Sequence, residues 1–202
     1  KENNLEELIN KASLVTDPYH LNDVQPVVRD SSAYFNKGDL FLSFRHLSAI
    51  LQFRPSTDKV IRVIEGPFTF QHDVDIISDN SIALLNNNTV TSDHNFNKFE
   101  FKPVNQAIQR KIDHSNVLIY NFEQDTFEAI HENAFIENNI YTEAEGLYEI
   151  LPNGDLFFEE QNSGILWVLN EQGVVLKTRL KSDIEGYHYL PNWTSTYMNI
   201  NF

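Results

Sequence analysis

The chain has 202 residues, 41% hydrophobic residues, 12% aromatic residues, no cysteine and a formal net charge of −14. This composition can bury a core and so excludes wholesale disorder, while the missing cysteine excludes disulfides, thiol nucleophiles and cysteine-ligated zinc. The acidic balance disfavours nucleic acid and anionic lipid as partners. No apolar run approaches the ~18–20 residues of a membrane span, so we expect none.

The first eighteen residues differ in pattern from the rest of the chain. Apolar residues from Leu5 to Ala12 recur at helical spacing, which predicts a short amphipathic helix or an extended lead-in. The dipeptide Asp17–Pro18 ends it. Because the chain begins with lysine and not with methionine, we expect that the natural start was removed, and this leaves export open.

From residue 19 onward, short alternating or apolar segments are separated by turns. Dipeptides such as Asp79–Asn80 and Asn153–Gly154 are typical of hairpin turns. The pattern predicts strands within the segments 38–44, 47–53, 60–66, 72–78, 81–87, 116–122, 127–132, 146–152, 155–161, 165–170 and 174–180.

The predicted strands repeat as units. The hairpin sequence GDLFLSF at 38–44 matches GDLFFEE at 154–160, and SDNSIALL at 78–85 is a looser copy. Each unit supplies about four strands over ~40–45 residues, the size of a propeller blade. We therefore predict an all-β domain over 19–202 that contains about three β-propeller blades of four antiparallel strands, at 19–66, 72–132 and 146–180. A β-sandwich of similar strand number is the alternative.

Two segments fall outside these units. The stretch 89–115 is polar and asparagine-rich, which indicates a loop insertion that is either a substrate lid or an ornament. The aromatic, alternating stretch 187–202 is expected to form a closing strand. Three blades do not close a ring, so we expect either another copy of the chain or a preceding half to complete the propeller.

Three basic side chains are the candidates for chemistry. His20 precedes the first strand of the first unit and His72 opens the first strand of the second, so we expect the two positions to be equivalent. In a propeller the innermost strands line the central channel, so loops that enter them converge at one mouth. Arg45 lies between two strands of the first unit and is expected to reach the same mouth.

Such a trio suits the transfer of a sulfuryl group. Its transition state spreads negative charge over three oxygens, which arginine and protonated histidine can stabilise. A neutral imidazole can attack sulfur, and a second histidine can protonate the departing phenolate.

Four stretches of the chain resemble the bacterial arylsulfotransferases, and together they span most of residues 17–180. They are HLNDVQPV at 20–27, GDLFLSFRHLSAI at 38–50, GPFTFQHDVD at 66–75 with NNN at 86–88, and YEILPNGDLFFEE at 148–160.

The resemblance implies the C-terminal half of a six-bladed propeller that moves sulfate from a phenolic ester to another phenol. By matching motifs, it implies that His72 is a nucleophile that becomes transiently sulfated, that His20 and Asn22 contact the sulfate, and that Arg45 is an oxyanion clamp. It implies small phenolic sulfate esters and phenols as partners, no nucleotide, metal or redox cofactor, and export to the periplasm or cell envelope.

A purely structural role is the alternative for each residue. His72 would cap a strand, His20 and Asn22 would form a turn, and Arg45 would pair with Asp39 or Asp73. His46 is expected to pack on the opposite face from Arg45, because neighbours in a strand alternate.

Other functions also remain open. One is a non-catalytic propeller that serves as a scaffold or binding module, because a fold does not certify chemistry. Another is a sugar-binding propeller that uses Trp167, Trp193 and Tyr187. The acids Asp73, Asp75, Glu159 and Glu160 are expected to be solvated strand ends, with cation binding as the alternative.

Overall fold

The computed structural model describes Leu5, Leu8, residues 17–89 and residues 114–197. These residues form three four-stranded antiparallel sheets, in each of which the strands follow chain order from one edge to the other. This meander is the architecture of a propeller blade, and it confirms the predicted fold class.

The first blade contains β1 to β4, the second β5 to β8 and the third β9 to β12. Their bounds are β1 Leu21–Pro26, β2 Leu40–Phe44, β3 Ala49–Arg54, β4 Lys59–Ile64, β5 His72–Ile76, β6 Ser81–Asn86, β7 Asn116–Asn121, β8 Thr126–Ile130, β9 Leu147–Ile150, β10 Leu156–Glu160, β11 Ile165–Asn170 and β12 Gly173–Arg179.

The blades pack face to face through two cores. Strand β6 lies in the middle and is buried along its whole length. Its Ile82 and Leu84 pack in the core shared with the first blade, whereas Ala83 and Leu85 pack in the core shared with the third. Alternation along one strand therefore supplies both interfaces, which is why β6 is apolar on both faces.

Aromatic side chains fill the two cores. Phe35, Phe41 and Phe122 pack edge to face or tilted in the first core, and Phe135 meets Phe158 in the second at 4.9 Å between ring centroids. Each fully buried ring contributes roughly 1.5–3 kcal/mol relative to an exposed one. These contacts fix the angle between neighbouring blades and hence the position of their inner strands.

A short helix interrupts the strand pattern. Helix α1, Glu132–Asn138, follows β8 and buries Ala134 and Phe135. The sequence pattern did not indicate it, since seven residues make fewer than two turns at about 3.6 residues per turn, which is too short for a clear apolar period. His131 and Asn139 flank it in left-handed conformation.

Three other expectations concern the ends and the insertion. The predicted closing strand is wrong over 187–197, where the structure has only an isolated bridge from His188 to Lys181. The predicted N-terminal helix over 1–16 lies outside the described residues, except for Leu5 and Leu8. These two side chains pack on the face of the first blade that points away from the second blade. Most of the insertion, at 90–113, also lies outside the described residues. Over the described ranges no helix has the length and apolar character needed to cross a membrane.

Candidate active site

A cavity of about 220 Å³ opens where the inner strands β1, β5 and β9 begin. Every blade contributes to its wall: His20 and Asn22 from the first, His72 and Asp73 from the second, and Glu159 from the third. The C-terminal segment adds Asn192 and Trp193.

An aspartate links each inner strand to the next one. The Asp23 carboxylate accepts a hydrogen bond from the Val74 amide at 2.8 Å, and the Asp73 carboxylate accepts one from the Tyr148 amide at 2.9 Å. These two aspartates are therefore structural equivalents. Asn22 directly precedes Asp23, and His72 directly precedes Asp73, so His72 corresponds to Asn22. The predicted equivalence of His72 and His20 is therefore wrong.

The amide of Asn87 fixes the orientation of the His72 ring. Asn87 is fully buried, and its Nδ2 donates to the carbonyls of Thr142 and Glu145 at 3.0 and 2.9 Å. Its Oδ1 therefore faces His72 Nδ1 at 2.5 Å. Since that oxygen can only accept, Nδ1 carries the proton and Nε2 carries the lone pair of the neutral ring.

The His72 ring is neutral at physiological pH. Burial lowers the pKa of His72 to about 4; the bond to Asn87 opposes this effect, and the charge of Arg45 reinforces it. A neutral imidazole with a defined lone pair on Nε2 is the form that can act as a nucleophile.

His20 and Asn22 both reach the cavity wall. The His20 backbone is left-handed, with φ 49°, and its Nδ1 lies 2.7 Å from Asp17 Oδ2. Asn22 donates from Nδ2 to the Gln71 carbonyl at 2.7 Å, while its buried Oδ1 has no hydrogen-bond partner in the ranges that the structure describes. The structure thus brings His20, Asn22 and His72 into one wall.

Arg45 lies outside that wall. It begins a 3-10 helical turn, Arg45–Leu47, and its guanidinium stacks 4.6 Å from the centroid of the Phe70 ring. No described residue accepts a hydrogen bond from its buried Nε. Burial lowers the pKa of Arg45, and Glu143 and Glu145 oppose that shift.

Two expectations for this turn are wrong. Arg45 does not pair with Asp39, whose carboxylate is bound by Arg54 Nε and Nη2 at 2.7 and 2.9 Å. His46 does not point away: its Nε2 lies 3.0 Å from Arg45 Nη1, and its ring stacks on His20 at 4.7 Å between centroids. The helical turn ends the alternation on which the strand argument depended.

The acids that the sequence was expected to place at solvated strand ends are partly or fully buried: Asp73 and Asp75 lie on the inner strand β5, and Glu159 and Glu160 lie on β10 of the third blade. Glu159 is fully buried and Glu160 is buried against the Trp167 indole, whose Nε1 donates to it at 2.7 Å. Burial raises the pKa of Asp73 to about 7, and burial also raises the pKa of Asp23 and Asp75. The cavity is therefore rich in negative charge that burial makes costly.

Sequence reasoning missed Asn87 and the linking aspartates. Asn87 follows the strand that pairs with β5, and the register His72↔Leu85 brings it beside His72. A hairpin register assigned from the turn at Asp79–Asn80 would have indicated that proximity. Nothing in the sequence signals that a third blade buries Asp73.

Three four-stranded meander blades whose inner strands meet at a cavity lined by His20 and His72 are the arrangement of a propeller protein. The family model described as Arylsulfotransferase (ASST) matches residues 1–180. The chain therefore belongs to the arylsulfotransferase family, which confirms the resemblance seen in the motifs.

The other two comparisons add little. No curated protein matches the chain. Among solved structures, the crystal structure of the WD40 beta propeller domain of Doa1 is similar, with 12% sequence identity and a TM-score of 0.46. The match covers 79% of this chain and only 40% of that one. The propeller class itself follows from the sheet order.

Proposed function

We propose that the chain transfers a sulfuryl group from a phenolic sulfate ester to a phenol acceptor, with His72 Nε2 as the nucleophile. The observation that supports this most directly is the Asn87 amide, which holds the ring so that Nε2 bears the lone pair. The lowered pKa of His72 keeps that lone pair available at neutral pH.

In the first step, Nε2 of His72 forms a bond to sulfur as the bond between sulfur and the phenolic oxygen breaks. The phenolate leaves with the electron pair and takes a proton from His20, whose Nδ1 is held by Asp17. Protonation of the leaving oxygen lowers the barrier to departure.

In the second step, the acceptor oxygen attacks sulfur and the bond to Nε2 breaks, which returns the lone pair to His72. The acceptor's proton passes to His20, so both histidines regain their starting states. Arg45 lies behind the cavity wall, and its positive charge acts on His72. Asn22 lies in the wall itself and contacts the sulfuryl group there.

The test is turnover of a chromogenic aryl sulfate with a phenol acceptor. We expect His72→Asn to abolish transfer, and His131→Asn to retain it. His131 is the matched control because it lies away from the cavity and already has a left-handed backbone, which asparagine tolerates.

When the protein reacts with the aryl sulfate in the absence of a phenol acceptor and the reaction is then stopped, mass spectrometry should find one sulfuryl group on the peptide that contains His72. Transfer that survives His72→Asn, or a sulfuryl group on another residue, would refute the assignment.

A second function, a non-catalytic binding module, is favoured by one observation. Among the described residues of the wall there is no lysine or arginine, and four carboxylates are present. This charge repels a sulfate ester. If the protein binds a ligand in the cavity but forms no sulfated His72, the binding function is supported.

We also propose export to the periplasm or cell envelope, since the family is associated with exported enzymes. The remaining faces of the propeller would be completed by a preceding half or by another copy of the chain. Cell fractionation and light scattering on the purified protein test these two proposals separately.

A further inference from the structure

We propose that the cavity beside His72 selects phenol acceptors that carry a protonated amine. This inference deepens the proposed function and rests on it for the identity of the phenol. It begins from the charge of the wall, where Asp23, Asp73, Glu145 and Glu159 face a volume of about 220 Å³. Among the wall residues that the structure describes, no lysine or arginine compensates them.

The second observation is a buried acceptor without a donor. Glu159 is 0% exposed; its Oε2 accepts from the Thr194 amide at 3.1 Å, while its Oε1 has no partner among the residues that the structure describes. Asn22 Oδ1, in the same wall, is also buried and has no partner within the described part of the chain. Leaving such groups unpaired costs about 1–3 kcal/mol each, so the wall is built to meet hydrogen-bond donors.

An ammonium group fits these requirements. It carries three donors and no acceptor, whereas a sulfate offers only acceptors to a wall that already presents them. Leu147 gives the wall an apolar surface for an arene, and the Trp193 ring lies at its lip with 79% of the residue exposed. An aromatic face attracts a cation within about 6 Å.

A metal ion fits less well. Within residues 17–89 and 114–197, no group of three or more histidine or carboxylate side chains converges closely enough to hold one. The acids surround the cavity instead of converging on a point, which suits an organic cation that spans it.

The experiment compares tyramine with para-ethylphenol, which has the same phenol and no amine. We expect kcat/KM for tyramine to exceed that for para-ethylphenol at least tenfold, and Glu159→Gln to reduce the ratio by about tenfold. The exposed acid variant Glu171→Gln is the matched control, and should leave the ratio unchanged.

A binding measurement without sulfate donor separates this inference from the proposed function. Tyramine should bind several-fold more tightly than para-ethylphenol by calorimetry, and Glu159→Gln should remove the difference. If tyramine binds more tightly than para-ethylphenol but no sulfuryl group is transferred, the proposed function is refuted and the amine site is retained. Equal binding of both phenols, or full displacement of tyramine by equimolar calcium chloride, would overturn the amine site whether or not transfer occurs.

Discussion

The pKa values of His72 and Asp73, which are neighbours in the cavity, shift in opposite directions on folding. Their effects on the pH dependence of stability should therefore oppose each other. The pKa of His72 falls from 6.5 to about 4 on folding, so its neutral form is favoured in the native state. Its contribution to the free energy of unfolding is present above pH 6.5 and is lost as the pH falls from 6.5 to about 4. The total is about 3 kcal/mol.

Asp73 behaves in the reverse way. Its pKa rises from 3.8 to about 7 on folding, so its protonated form is favoured. Its contribution is present below pH 3.8 and is lost as the pH rises towards 7. Between pH 4 and 6.5 the two slopes oppose each other, each up to about 1.4 kcal/mol per pH unit.

When one of the two ionisable groups is removed, the pH dependence of the free energy of unfolding should show the effect of the other group alone. We expect Asp73→Asn to make the free energy of unfolding rise more steeply with pH than in the unmodified chain, by up to about 1.4 kcal/mol per unit. His72→Gln should shift the slope by the same amount in the opposite direction. The Asp73→Asn side chain retains an oxygen that can accept from the Tyr148 amide.

Urea denaturation between pH 4.5 and 6.5 measures these slopes, provided that the m-value stays constant. Asn138→Ala, an exposed change with no ionisable group, is the control and should leave the slope unchanged. Slopes that change in the same direction in both cavity variants, or not at all, would refute the opposing-titration argument.

Three further outcomes follow from the contacts described above. Asn87→Ala removes one buried and two partly buried hydrogen bonds and should cost about 3 kcal/mol in chemical denaturation. In nitrogen NMR spectra, the His72 proton should then no longer prefer Nδ1. Arg54→Ala leaves the buried Asp39 carboxylate without its charged partner and should cost about 3–5 kcal/mol, measured in the same way. Gly146→Ala should lower thermal stability, since φ is +90° and a Cβ would lie 2.8 Å from the Glu159 carbonyl oxygen, at a cost of about 1–3 kcal/mol.

The blades could be predicted from sequence because their signals are local. Turn dipeptides and alternating apolar residues determine hairpins over a few positions, and the strand β5 begins at His72, where the pattern placed it. The repeated GDLF motif marked the same hairpin in the first and third units, and the count of about four strands per unit indicated the blade size.

The electrostatics of the site could not be predicted in this way. Burial raises the pKa of Asp73, and the hydrogen bond from the Tyr148 amide, a residue of the third blade that lies 75 positions later in the chain, opposes that shift. Likewise, the 3-10 turn that brings His46 beside Arg45 depends on the His20 carbonyl, which accepts from the Arg45 amide at 2.9 Å. Distant partners decide both features.

The order of the sheets also bears on how the molecule comes apart. Within residues 17–89 and 114–197, the two large cores lie between neighbouring blades, so stability is distributed as in a one-dimensional stack. The second blade shares a core on either side, whereas each outer blade shares one core with it. Opening should therefore proceed inward from the outer blades, and the amide hydrogens of β6 and β7 should be the last to exchange with deuterium.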